Sequence, residues 1–158
     1  MTSNSDQKIA LITGATSPIG GAIAKRLHGD NYKLVLAVNS SFEQGTELAK
    51  QFDAVTIAAD LSAPDGPELL VANALEQVGG IDVLVNNAAC QKLEEWATID
   101  SDKWDEMLDV NLKAAQLLMN AVSRHIIAEQ RKGVIVNISS IKAYQPSASH
   151  SHNAISKA

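Results

Sequence analysis

The 158 residues are 46% hydrophobic and 20% charged, an ordinary composition for a globular chain long enough for one domain with a real core and too short for two. A net charge of −5 argues against a nucleic-acid or anionic-membrane partner, and no run approaches the roughly 18 apolar residues of a membrane span. The single Cys90 excludes an intramolecular disulfide and, with no signal-like stretch in the polar tail 1–7, points to a cytoplasmic protein. Its neighbours Ala88 and Ala89 suggest a buried, inert thiol.

The first predicted element is a buried strand, residues 8–13, running into Gly14-Ala-Thr-Ser-Pro-Ile-Gly20 and then an amphipathic helix. A strand-to-helix turn leaves main-chain N–H groups unpaired at the helix N-terminus, where the dipole also favours an anion, so this segment reads as a phosphate cradle. Gly14 suits the tight turn and Gly20 the close packing of helix on sheet; Ser17 suits an N-cap and Pro18 the first helical position. Taken alone, such a turn is equally able to do no more than join strand to helix. The helix is expected to end near His28-Gly29.

Further apolar runs fall at 33–38, 54–59, 81–86 and 133–139. They are continuously apolar rather than alternating, as in strands covered on both faces. Helical spacing lies between them at 42–51, at 66–78 before Gly79-Gly80, and over a long fourth helix, 102–131. Alternating strands and helices predict an α/β, doubly wound parallel sheet of Rossmann type in a three-layer α/β/α arrangement, all within a single domain, 1–158. Residues 149–158 read as the start of a truncated helix.

Several pieces fall in one order: the turn at Gly14, Asp60-Leu61 after the third strand, Asn86-Asn87-Ala88-Ala89 after the fourth, Val110-Asn111 on the fourth helix, and Asn137-Ile138-Ser139-Ser140 closing the fifth strand. Together they resemble the short-chain dehydrogenase/reductase family of classical type, with Pro18 in place of the middle glycine of its T-G-x3-G-x-G turn and Ala89 in place of the glycine of N-N-A-G. The resemblance runs from Lys8 to Ala158, about the first three-fifths of a usual member. It implies strand order 3-2-1-4-5 with the sheet incomplete at its C-terminal edge. It also implies hydride transfer between NAD(P)(H) and a carbonyl or secondary alcohol.

By the same resemblance Gly14, Ser17, Ile19, Gly20, Asn39, Asp60, Asn87 and Lys157 would touch the cofactor, and Asn111, Ser140, Asn153 and Lys157 would occupy the catalytic positions. No metal enters this scheme. The family's asparagine holds a relay water, its serine fixes the substrate oxygen, and its lysine holds the ribose and lowers the pKa of a tyrosine phenol. Here Asn153 stands where that tyrosine would be. A carboxamide donates a hydrogen bond but does not titrate, and loss of a general acid costs about 10²–10⁴ in rate, so slow or absent turnover is expected. His150 would share a face with Asn153, His152 would point away, and Tyr144 would pack or line a pocket. Without the resemblance, Asn111 would satisfy a helix kink, Ser139 and Ser140 would be strand-end hydroxyls, and Lys157 a solvated lysine.

At the end of the second strand, Asn39-Ser40-Ser41 offers no carboxylate for the adenosine ribose, so NADP(H) is favoured over NAD(H), although no arginine or lysine is there to neutralise a phosphate. The alternatives are a nucleotide-binding pseudoenzyme and an inactive fragment of a longer reductase. The fragment reading expects an exposed fifth-strand edge and reduced stability. The resemblance implies homo-oligomers through the fourth and fifth helices, with half of that interface incomplete here.

Overall fold

A computed structural model describes residues 7–92 and 94–158; the first six residues of the predicted polar tail lie outside it. Five strands form one parallel sheet in the order β3-β2-β1-β4-β5. They are β1 (Ile9–Thr13), β2 (Lys33–Val38), β3 (Val55–Ala58), β4 (Val83–Asn86) and β5 (Val134–Asn137). Successive side chains of a strand point to opposite faces, so β1 supplies two cores at once. Leu11 packs with Val35, Leu84, Leu70, Val71, Leu118 and Val122 on the face covered by α3 (Gly66–Val78) and α5 (Ala114–Ala128). Ile12 packs with Leu34, Leu36, Val85, Ala24 and Ala49 on the face covered by α1 (Pro18–Gly29) and α2 (Phe42–Phe52). This is the predicted three-layer arrangement. The order in which strands are added across the sheet reverses between β1 and β4, which opens a crevice at the carboxyl ends of the strands.

Several boundaries differ from expectation. β4 begins at Val83, later than predicted, although Asp82 just before it bonds to both neighbours: its N–H donates to Ile9 O at 2.9 Å, its carbonyl accepts from Val134 N at 2.9 Å, and its carboxylate accepts from Ile9 N at 2.8 Å and from Arg131 Nη2 at 2.7 Å. Helix α1 does end at Gly29, as expected, and Asn31 just beyond it takes the left-handed conformation at φ 65°. β5 is shorter than predicted and, unlike the others, largely exposed, with no further element along its outer side among the described residues.

The long fourth helix runs without a break but is not α throughout: α4 (Ser101–Leu108) passes through a π turn over Asp109–Lys113 into α5, which ends at Ala128. Asn111 lies in the π turn, buried in the apolar stripe. The wider turn accommodates a polar side chain that bonds to Met107 Sδ one turn back and to Cys90 and Ser156 on other segments. After β5, short 3-10 turns lead to α6 (Ser151–Lys157). Among the described residues, no helix is long and apolar enough to cross a membrane.

Candidate functional site

The crevice is a cavity of about 880 Å³, within the range of ligand pockets, and it is lined from the β1–α1 turn to α6. At one end is the glycine turn. Gly14 has φ +62°, and a Cβ on Gly20 would lie 2.4 Å from the Gly14 carbonyl oxygen. Ser17 caps α1, its Oγ accepting from Gly20 N at 3.0 Å, and Pro18 follows as the first helical residue. Thr16 and Ile19, both on the cavity wall, keep main-chain N–H groups that find no acceptor among the described residues. Two free donors at a helix N-terminus, on backbone that no side chain obstructs, fit a diphosphate.

The turn is held from β4. Asn87 Nδ2 donates to the carbonyls of Thr13 (2.9 Å) and Gly14 (3.0 Å) and to Ser17 Oγ (3.2 Å). Thr13 Oγ1 accepts from the N–H groups of Asn87 and Ala88, each at 3.0 Å, and faces Val85 O at 3.3 Å. Thr13 was not among the expected site residues. Its signal was a hydroxyl ending an otherwise apolar strand. Asn87 therefore shapes the cradle while bordering the cavity.

Beyond β2 the wall is made of Asn39, Ser40 and Ser41, with Ser41 Oγ 2.8 Å from Thr16 Oγ1. Thr16 is a second wall residue that sequence reasoning missed. Asp60 lines the same end, and its Oδ1 accepts from Ser62 Oγ (2.6 Å) and Ser62 N (3.0 Å), bonds that hold the carboxylate below its ordinary pKa.

Ser140, Asn153 and Lys157 line the same cavity. Ser140 Oγ accepts from Lys142 N at 3.1 Å, leaving its own hydrogen free. Asn153 is 6% exposed, and its carboxamide makes no hydrogen bond among the described residues. Lys157 lies one turn further along α6, and its Nζ donates to Ile138 O at 3.0 Å. Burial alone pushes its pKa down. Ser139 is drawn aside, its hydroxyl donating to Lys157 O at 2.9 Å.

Asn111 stands behind the wall rather than on it. Its Oδ1 accepts from Cys90 N at 2.7 Å, and its Nδ2 donates to Cys90 O (3.0 Å) and Ser156 Oγ (3.1 Å). Its carboxamide is bonded within the protein and braces the wall. The expectation of a buried Cys90 is corrected as well: the thiol is half-buried on the cavity wall and contacts Glu106 Oε1 at 3.8 Å. Burial, then the Glu106 charge, raises its pKa, so it stays a thiol.

The other acid candidates stand apart. Tyr144 is 82% exposed and neither packs nor lines the cavity, against expectation. His150 lies within bonding distance of the Ser147 and Ser149 hydroxyls through Nδ1, off the wall. His152 is fully buried, as its position away from the Asn153–Lys157 face requires, and neither ring nitrogen has a partner.

Comparison with known proteins follows the same lines. The profile of the short chain dehydrogenase family matches residues 8–158. The chain belongs to that family. Among its short-chain dehydrogenase relatives, a bovine protein named dehydrogenase/reductase SDR family member 4 is 36% identical over 148 residues, covering 89% of this chain and 52% of the relative. The 2-dehydro-3-deoxy-D-gluconate 5-dehydrogenase of Escherichia coli K12 is 30% identical over 142 residues, covering 87% and 55%. A crystal structure of a metagenomic short-chain oxidoreductase in complex with NADP superposes with a TM-score of 0.88 at 33% identity, covering 95% of this chain and 70% of that one. The chain thus spans about half to three-fifths of the length of the curated relatives it matches.

Proposed function

We propose that this short-chain dehydrogenase is an oxidoreductase that binds a nicotinamide dinucleotide and acts on a carbonyl or secondary alcohol. The observation that carries the reading is that one cavity joins the glycine cradle at Gly14 and Gly20 to Ser140, Asn153 and Lys157. The free N–H groups of Thr16 and Ile19 take the diphosphate, Asn87 holds the turn in shape, and Asp60 lies toward the adenine end. A bound reduced nicotinamide supplies hydride. Ser140 O–H and Asn153 Nδ2 donate hydrogen bonds to the substrate oxygen and polarise its carbonyl. Lys157 adds positive charge beside that oxygen, and Asn111 acts as a positioning residue through Cys90.

NADP(H) is preferred over NAD(H). The wall beyond β2 offers Asn39, the Ser40 hydroxyl and the Thr16–Ser41 hydroxyl pair to a 2′-phosphate and no carboxylate to a free ribose hydroxyl. The metagenomic relative in complex with NADP supports the choice. Lack of an arginine there keeps the preference within about tenfold, roughly 1.4 kcal/mol.

One observation favours a second reading, a dinucleotide-binding protein without turnover: Asn153 cannot titrate. Turnover of a panel of ketones and aldehydes with NADPH, in the native chain and in Asn153→Tyr, separates the two. The oxidoreductase reading expects slow turnover that rises about 10²-fold or more in the variant. Tight cofactor binding with no turnover in either protein would establish the second.

A further inference from the structure

The carbonyl-reduction reading, on which this inference rests, leaves the source of the proton open. We propose that the Lys157 ammonium gives the substrate oxygen its proton, from a place beside the Asn153 carboxamide on the same cavity wall. In the family pattern stated above, the corresponding lysine acts through a phenol; here it acts without one.

Elimination and geometry agree. Four ionisable side chains border the cavity: Asp60, Cys90, Glu106 and Lys157. Asp60 is held as a carboxylate by Ser62 and has no proton to give. The Cys90 thiol directs its hydrogen at Glu106 and holds it more tightly than an ordinary thiol, and the Glu106 carboxylate is engaged by that thiol and by Lys92. Lys157 shares its wall with Ser140 and Asn153, which would fix a carbonyl oxygen within reach. One ammonium hydrogen goes to Ile138 O at 3.0 Å, and two remain for the cavity.

The surroundings also suit an acid. Among the described residues no carboxylate pairs with Lys157. On the elements packed against α6, Lys142 reaches Ser147, Asp109 pairs with Lys113 at 3.0 Å, Lys103 pairs with Glu94 at 3.2 Å, Glu106 pairs with Lys92, and neither Asp102 nor Asp105 pairs with Lys157. On and beside α6, His152 is sealed in the interior and His150 is held near Ser147. Burial lowers the Lys157 pKa toward neutrality, the direction that improves a general acid.

The step balances. The carbonyl carbon gains hydride from the reduced nicotinamide cofactor, the C=O π pair moves onto oxygen, and one Nζ–H bond breaks to give that oxygen its proton. Nζ is left a neutral amine, which water reprotonates after the alcohol leaves.

The test uses the 158-residue chain, with NADPH binding followed by nucleotide fluorescence. Carbonyl turnover is expected to fall as pH rises through the ionisation of Lys157. That ionisation is measured independently in the native chain by competitive acetylation and mass spectrometry. Lys157→Arg keeps the charge but cannot release a proton, so its turnover is compared with that of the native chain at NADPH concentrations shown by nucleotide fluorescence to saturate each protein. Its turnover is expected to drop by about 10²-fold or more. Asn153→Tyr/Lys157→Arg is expected to recover turnover through the phenol.

Lys157→Arg turnover within about threefold of the native value would overturn the proposal. So would a rate whose pH dependence does not follow the Lys157 ionisation, a result that needs no variant to fold. If Asn153→Tyr turns over and the native chain does not, the proposal fails and the oxidoreductase reading stands. If both bind NADPH and neither turns over, that reading fails and takes the proposal with it.

Discussion

Asn111 grips both main-chain groups of Cys90, its carboxamide oxygen taking the N–H at 2.7 Å and its nitrogen giving to the C=O at 3.0 Å. The same nitrogen reaches Ser156 on α6, so one side chain ties the segment after β4, the π turn and the helix that carries Asn153 and Lys157. This side of the cavity is thereby built from three separate stretches of chain.

Replacement of that brace is therefore expected to be costly. Asn111→Leu strands the Cys90 N–H and C=O and loses the bond to Ser156, and each buried polar group left unpaired costs about 1–3 kcal/mol. The expected loss of about 2–4 kcal/mol is read from urea denaturation as a lower midpoint at unchanged slope.

Gly20→Ala tests the cradle. The added Cβ would meet Gly14 O at 2.4 Å and Asn87 Nδ2 at 2.9 Å, and neither has room to retreat, because Asn87 Nδ2 is bonded to Gly14 O itself. Binding of NADP(H) is expected to weaken at least about tenfold, roughly 1.4 kcal/mol, as measured by calorimetric titration.

Arg131 pairs with Asp82, which also accepts from Ile9 N and so joins the start of β1 to the approach to β5. Arg131→Met leaves a buried carboxylate without its cation. Removing one partner of such a pair costs about 3–5 kcal/mol, and partial exposure of the guanidinium puts the expected loss at about 2–3 kcal/mol. Thermal unfolding at neutral pH measures it.

Lys157 also gives stability a pH dependence. Its folded pKa lies below the ordinary lysine value of about 10.4, so the unfolded chain binds more protons between the two and stability rises with pH across that window. Below the folded value the full cost of burying the charge is present. Lys157→Met is expected to stabilise the chain at neutral pH, with the advantage shrinking as pH climbs toward the unfolded value. Urea midpoints of both proteins at a series of pH values provide the check.

The sheet was legible because β1, β2 and β4 are buried on both faces, which leaves continuous apolar runs such as Leu34–Val38 that no amphipathic helix would show. β5 reads identically in sequence yet is largely exposed, since a run of apolar residues does not reveal what lies along its edge. The cradle was legible because Ser17, Pro18 and the glycines act locally. Thr13, Thr16 and Cys90 were not read as site residues, because their partners lie 20 to 75 residues away. The π turn escaped for the same reason: Asn111 fits an α-helical stripe, and only its bonds to Cys90 and Ser156 favour the wider turn.

The central claim, that this cavity holds a nicotinamide dinucleotide, is tested most directly by calorimetric titration of the native 158-residue chain with NADP⁺ and with NAD⁺. The account predicts saturable, one-to-one binding of NADP⁺, tighter than NAD⁺ by up to about tenfold. Absence of heat from both nucleotides at millimolar concentration, with the chain shown to be folded by circular dichroism, would contradict it.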